Sequence, residues 1–312
     1  MSNNAPIILF VYNRCLHTRR TVDALKANDL ARDSDLYIYA DAARNEEALP
    51  SVTALRNYLN EITGFRNIYV CLREHNLGVD ENVILGVSEV IEKHGRAIVM
   101  EDDLVTAPWF LQYMNDALHL YEYREEVACI HGYVYPVRQQ LKEVFFLKGA
   151  DCWGWATWKR GWDLFEPDGE KLLKEIERRG LQREFNFNNT FPYVNALAEQ
   201  AAGRTTCWDI RWYASAFLKG KLTLYPGQSL VSNIGHDASG THCGTNQDYD
   251  VILATAPLNV ETVVQPDAQA YEAFADFFSR LLPQALPPPR KSWISRTFKK
   301  AKSFLKGLKR DA

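Results

Sequence analysis

Between residues 6 and 104 four short apolar runs are separated by three amphipathic stretches, and this alternation restricts the fold most. The runs are Pro6–Val11, Leu36–Ala40, Asn67–Leu72 and Arg96–Met100. Between them, residues 15–27, about 50–62 and 80–94 place apolar side chains at helical spacing, for example Val83, Val87, Val90 and Ile91. Strand–helix alternation of this kind predicts a parallel, doubly wound sheet with right-handed crossovers. Each run is followed by polar residues: Asn13 and Arg14, Asp41 and Arg44, Arg73 and Asn76, then Glu101, Asp102 and Asp103. An open α/β sheet keeps its ligand at the carboxyl edge of its strands, so these residues are expected to converge there.

Three consecutive carboxylates repel one another and gain nothing for a core without a positive partner. A solvated acidic turn is the plain alternative. The sharper expectation is a hard divalent cation with oxygen ligands, one or two carboxylates sufficing when phosphate and water complete the shell. On extended backbone, neighbouring side chains point opposite ways, so Glu101 and Asp103 are expected on one side and Asp102 on the other. The chain lacks a P-loop, a Gly-x-Gly-x-x-Gly after the first strand and a Gly-x-Ser-x-Gly elbow, which argues against P-loop nucleotidases, dinucleotide oxidoreductases and α/β-hydrolases.

Beyond residue 104 the alternation stops. Helices are expected over 107–123, through most of 170–202, over 208–218 and over 271–282, with short strands at 127–130, 222–225 and 230–233. Residues 239–247 read as a loop, and the polar segment 237–248 as a lid that could order over a bound ligand. Pro287–Pro289 form a stiff spacer. Nine of the 36 Lys and Arg lie in 290–312 with one Asp, which leaves 27 basic against 38 acidic residues before it. Trp293, Ile294, Phe298, Phe304, Leu305 and Leu308 fall mostly at helical spacing among the lysines, the pattern of a basic amphipathic helix on an anionic membrane surface. The six cysteines are scattered without a Cys-x-x-Cys pair, which suits free thiols in a reducing compartment. No leader-like segment and no apolar run of 18 residues occur, so the expected location is cytoplasmic, peripheral to the inner face of the cell membrane.

Ile98–Leu104 followed by Val105–Phe110 resembles the metal-binding segment of glycosyltransferases with the GT-A fold, most closely the N-acetylglucosaminyltransferase I family. Phe10–Arg14 resembles the first strand of bacterial family-2-like sugar transferases, and Asn76-Leu77-Gly78 the Asn-x-Gly after their third strand. The resemblance spans about residues 6–245. It implies a Rossmann-like GT-A sheet over 1–286, with a nucleotide-donor half (6–135) and an acceptor half (136–286), then a tail (287–312). It also implies a Mn²⁺- or Mg²⁺-dependent, inverting transferase using a nucleotide-diphosphate sugar, UDP-sugar favoured, and a glycan or lipid-linked acceptor, with no nucleic acid partner.

By the resemblance Asp103 touches the metal, Glu101 and Asp102 face the donor sugar and ribose, Asp41 binds the nucleobase, and Arg14, Asn76 and Gly78 lie near the nucleotide. Cys207–Trp212 matches the context of the general base, which makes Asp209 the candidate and Asp151 the reserve; the family carries two adjacent acids there and this chain one. Trp153 and Trp155 suit acceptor binding by ring packing on sugar faces, and His236 suits a late metal-side position. An ordinary reading stands beside each: a helix-capping Asp209, an aromatic core at Trp153–Trp158, a loop histidine. A sugar nucleotidyltransferase, or a non-catalytic carbohydrate- or membrane-binding module of the same fold, is the alternative function.

Overall fold

The computed structural model describes residues 4–239 and 246–281. Residues 4–279 fall within one compact unit. The expected tail helix and the segment 240–245 lie outside the described residues.

The first 101 residues follow the expected alternation closely. Strands β1 (Ile7–Val11), β2 (Asp35–Ala40), β3 (Asn67–Leu72) and β4 (Arg96–Glu101) are separated by α1 (Cys15–Lys26), α2 (Leu49–Leu59) and α3 (Gly78–His94). β1 pairs in parallel with β2 and β4, and β2 with β3. Alternate residues of β1 serve two cores. Ile7 and Leu9 pack with α1, α2 and the later residues 110–118, and Ile8 and Phe10 pack with α3. A strand covered on both faces has to be apolar throughout, as β1 is.

The later chain extends this sheet. After β5 (Leu104–Thr106) come α4 (Phe110–Leu120), β6 (Val127–His131), β7 (Val144–Lys148) and β8 (Trp155–Trp158). Four helices follow, α5 (Lys159–Trp162), α6 (Gly169–Arg178), α7 (Gln182–Phe185) and α8 (Tyr193–Ala201), then α9 (Trp208–Leu218), β9 (Leu222–Pro226), β10 (Val231–Asn233) and α10 (Ala268–Leu281). The eight-stranded order is β3-β2-β1-β4-β8-β6-β9-β7, and β5 and β10 form a separate antiparallel pair. The architecture is therefore the expected α/β class, a large, mostly parallel sheet flanked by helices.

Three features differ from the sequence reading. β7 and β8 are strands the helical and strand periodicities did not single out, and β8 sits inside the sheet, antiparallel to both β4 and β6. The long helical stretch after residue 170 is broken into α6, α7 and α8, and Phe187, Asn188 and Asn189 take left-handed backbone angles between the last two. Helix α4 starts after Pro108, where Asn28 Oδ1 accepts the Leu111 N–H at 2.9 Å.

The placement of β8 corrects the acceptor assignment of Trp155. Its indole is fully buried on the face of the sheet that α3 covers and packs on Trp162, Trp208 and Trp212 with ring centroids 5.7–5.8 Å apart. It joins the sheet to α9 and cannot meet a ligand. Trp155→Ala is expected to lower unfolding free energy by about 3–5 kcal/mol, as large-to-small changes at buried aromatic sites do. Denaturant melts check this, and a loss under about 1 kcal/mol would contradict the packing role.

Candidate active site

Four parallel strands end at one edge, and the residues just beyond them assemble the site. At the end of β4 the chain does not remain extended. It turns at Asp102 and Asp103, so the expected alternation of side chains fails and both aspartates face the same partner. That partner is Arg14, just after β1, whose Nη2 donates to Asp102 Oδ1 and, at 2.8 Å, to Asp103 Oδ2. The positive charge the triplet needs thus comes first from within the chain. Burial opposes the guanidinium charge, but Asp102 and Asp103 outweigh it and hold Arg14 above its usual range. Burial pushes the Asp102 carboxyl up to about 6, against the pull of Arg14 and with the push of Asp103. The Glu101 carboxyl is also raised, by burial first and then by Asp103, Asp209 and Asp102.

Asp41, expected to read a nucleobase, is committed elsewhere. Its Oδ1 accepts the N–H groups of Ala42 and Leu77 at 2.9 Å, and its Oδ2 accepts Gly78 N–H at 2.9 Å and Asn76 Nδ2 at 3.0 Å. Only 5 % exposed, it ties the end of β2 to the first turn of α3, satisfying N–H groups a helix start leaves open. Asn76 spends its amide on Asp41 and on the Ala42 carbonyl at 2.7 Å. Asp41, Asn76 and Gly78 therefore form one structural clasp at the carboxyl edge of the sheet, with the Asp41 carboxylate spent on it.

The β5–β10 pairing carries a distant segment to the triplet. Asn233 lies opposite Leu104, and the Ile234 N–H donates to the Asp103 carbonyl at 2.8 Å. Gly235 follows, so close that a β-carbon there would fall 2.2 Å from Asp103 Oδ2. Any side chain there would have to displace the Asp103 carboxylate. His236 comes next, with its ring stacked on Tyr249 at 5.0 Å and edge-on to Trp153 at 5.5 Å. Its Nε2 is buried and has no hydrogen-bond partner among the described residues.

His236 also lines a cavity of about 410 Å³, together with Asp151, Trp153 and Asp209. Trp153 reaches it while Trp155 does not because Gly154, at φ +69°, turns the chain between them. Asp209 sits in the first turn of α9. Its Oδ1 accepts the Cys207 thiol at 2.7 Å and its Oδ2 the Cys152 thiol at 3.8 Å. Burial and the Asp209 charge raise both thiols, keeping them as S–H donors. Behind it, Arg211 pairs with Asp80 at 2.6 Å and anchors α9 to α3. Asp151 accepts its neighbour Cys152 N–H at 2.9 Å and the Tyr225 hydroxyl at 3.2 Å.

The structure therefore groups Arg14, Glu101, Asp102, Asp103 and His236 at the sheet edge and brings Trp153, Asp209 and Asp151 around the adjoining cavity. Sequence reasoning missed Cys152, Cys207 and Gly235. Cys207 stands two residues before Asp209, a spacing that signalled the contact, whereas Cys152 and Gly235 come from distant segments and carried no local sign. No cluster of three or more His, Cys, Asp or Glu suited to a metal occurs among the described residues, which alone form no all-protein cage. A Mg²⁺-like ion needs only one or two protein ligands beside phosphate and water. Asp103 at the edge and the unpartnered His236 nitrogen in the cavity lining are the candidate ligands for that more modest requirement.

No protein-family profile and no curated protein matches the chain. Among solved structures it is similar to Staphylococcus aureus TarS residues 1–349, with 11% identity and a TM-score of 0.34 over 47% of this chain and 41% of that one. It is also similar to the mannosyltransferase PcManGT of Pyrobaculum calidifontis in complex with GDP-Man and Mn²⁺, with 11% identity and a TM-score of 0.37 over 70% of this chain and 69% of that one.

Proposed function

We propose that the protein is a metal-assisted, inverting glycosyltransferase that moves a sugar from a nucleotide diphosphate, UDP favoured, to a glycan or lipid-linked acceptor. The supporting observation is the β5–β10 pairing, which sets Gly235 against Asp103 and His236 into the Asp209 cavity. A charged edge for a diphosphate and a cavity for an acceptor thereby share one wall.

In this reading Asp103 and His236 would hold Mn²⁺ or Mg²⁺, and the ion, when bound, neutralises charge on the departing diphosphate. Arg14 keeps Asp102 and Asp103 aligned and adds positive charge at the same edge. Glu101 faces the boundary between the two regions and accepts hydrogen bonds from sugar hydroxyls when ionised. Trp153 presents its ring to an acceptor. Asp209 takes the proton from the acceptor hydroxyl as that oxygen attacks the anomeric carbon, and the nucleotide diphosphate leaves from the opposite face.

Thermal melts with a panel of nucleotide sugars, with and without Mn²⁺, test the reading. A donor should raise Tm only when metal is present, by mass action on the folded state. If no member of the panel shifts Tm under any metal condition, the reading is lost.

The basic segment 290–312 would hold the enzyme on the cytoplasmic face of an anionic membrane. Flotation of a 1–289 truncation with anionic liposomes should fall well below that of the full chain. Equal flotation removes the anchor.

A further inference from the structure

The walls of the Asp209 cavity carry a selection rule for what enters it. Among the described residues lining it there are two carboxylates, Asp151 and Asp209, and no Lys or Arg. His236 is the one basic side chain of that lining. Neither carboxylate is neutralised by a cation. Asp209 is held by two thiols, and Asp151 by a backbone N–H, a phenol and the neighbourhood of His131 at 3.7 Å. Burial lowers the pKa of His131 and favours its neutral ring. The cationic Arg211 is turned away to Asp80 and the Pro167 carbonyl, and Arg14 is committed to Asp102 and Asp103.

The remaining wall is aromatic. Trp153 meets Tyr249 with centroids 5.6 Å apart, and Tyr135 packs edge-on against Phe274 and Phe278 at 5.0 and 4.9 Å. Ring faces attract C–H surfaces and cations, and carboxylates accept from hydroxyl and ammonium groups. An anionic ligand would meet two uncompensated charges in surroundings that screen poorly. The volume, about 410 Å³, is within the range of small-molecule sites, ~300–1,000 Å³.

We infer that this cavity admits the end of an acceptor glycan that is neutral or carries an ammonium group, and rejects one that carries a carboxylate or phosphate. This rests on reading the cavity as the acceptor site and adds the charge class of the acceptor.

The test uses the full chain with no nucleotide and no metal, so that it is independent of donor binding. Methyl glycosides of glucose, glucosamine and glucuronic acid are titrated at slightly acid pH and followed by ligand-observed NMR and by Trp fluorescence. The expected order is glucosaminide, glucoside, glucuronide, with the glucuronide at least about tenfold weaker than the glucoside, the scale of one unfavourable charge contact in a partly screened site. Asp151→Asn should narrow the gap between glucosaminide and glucuronide several-fold without weakening the glucoside comparably. Glucuronide binding as tight as glucoside overturns the inference, as does an unchanged gap in the variant or the absence of saturable binding by all three. Metal-dependent donor binding that persists in any of these cases leaves the proposed reaction standing. If the expected sugar order appears while no nucleotide sugar binds, the reaction is lost and the selection rule is kept.

Discussion

Asp209→Asn lowers the transfer rate by about 10²–10⁴-fold, the usual contribution of a positioned general base, while metal-dependent binding of the nucleotide sugar stays within about twofold of wild type. The asparagine keeps the shape of the side chain and removes its capacity to take a proton. The carboxylate is well suited to the role. Its donors are two thiols, which bond weakly compared with a guanidinium or a pair of backbone N–H groups. The weak bonds orient the carboxylate and leave it lone pairs for a further donor. Arg211, the cation on the same helix, is held off by Asp80 at 2.6 Å. Steady-state kinetics read the rate and thermal shifts read donor binding. Asp151→Asn is the paired control, because Asp151 lines the same cavity. A normal rate in Asp209→Asn together with a collapse in Asp151→Asn reassigns the base.

How far the sequence could reach is visible in these two acids. The sheet edge was legible because its cause is local: an apolar run buried on both faces, a break, then a polar group, repeated four times. Helix α9 was legible for the same reason, its Trp-Asp-Ile-Arg-Trp start following an N-terminal break. The inner face of the cavity was not legible. Cys152 meets Asp209 across 57 residues and Gly235 meets Asp103 across 132, and no periodicity encodes such contacts. Trp155 misled because aromatic density is common to sugar-binding walls and to cores. Its neighbours Ala156, Thr157 and Trp158 form a β-prone run, and only the pairing of β8 with β4 and β6 decides that the ring faces inward. Asp41 misled differently. A carboxylate at the end of a parallel strand suits a ligand, but it equally suits the open N–H groups of the next helix, and here the Ala42, Leu77 and Gly78 N–H groups and the Asn76 amide occupy it.

Asp103→Ala removes the metal-dependent part of donor binding and lowers kcat/KM by at least about 100-fold, since even outer-shell partners of a metal commonly account for 10–100-fold. The residue has two connections that make it the pivot of the edge. Its carboxylate receives Arg14 at 2.8 Å and its backbone carbonyl receives Ile234 N–H at 2.8 Å. Alanine keeps the second, so β10 and His236 should remain in place and Tm without ligand should change little. Arg14→Ala acts in the opposite sense. It strips the internal countercharge from Asp102 and Asp103, and the apo protein loses stability through repulsion among the acids. Added Mn²⁺ then becomes their sole neutralising charge, so its stabilising shift in Tm should exceed that in wild type. The two variants together separate a metal site from a mere ion pair. If Mn²⁺ shifts Tm equally in wild type, Asp103→Ala and Arg14→Ala, the triplet binds no metal, and Arg14 alone faces the diphosphate.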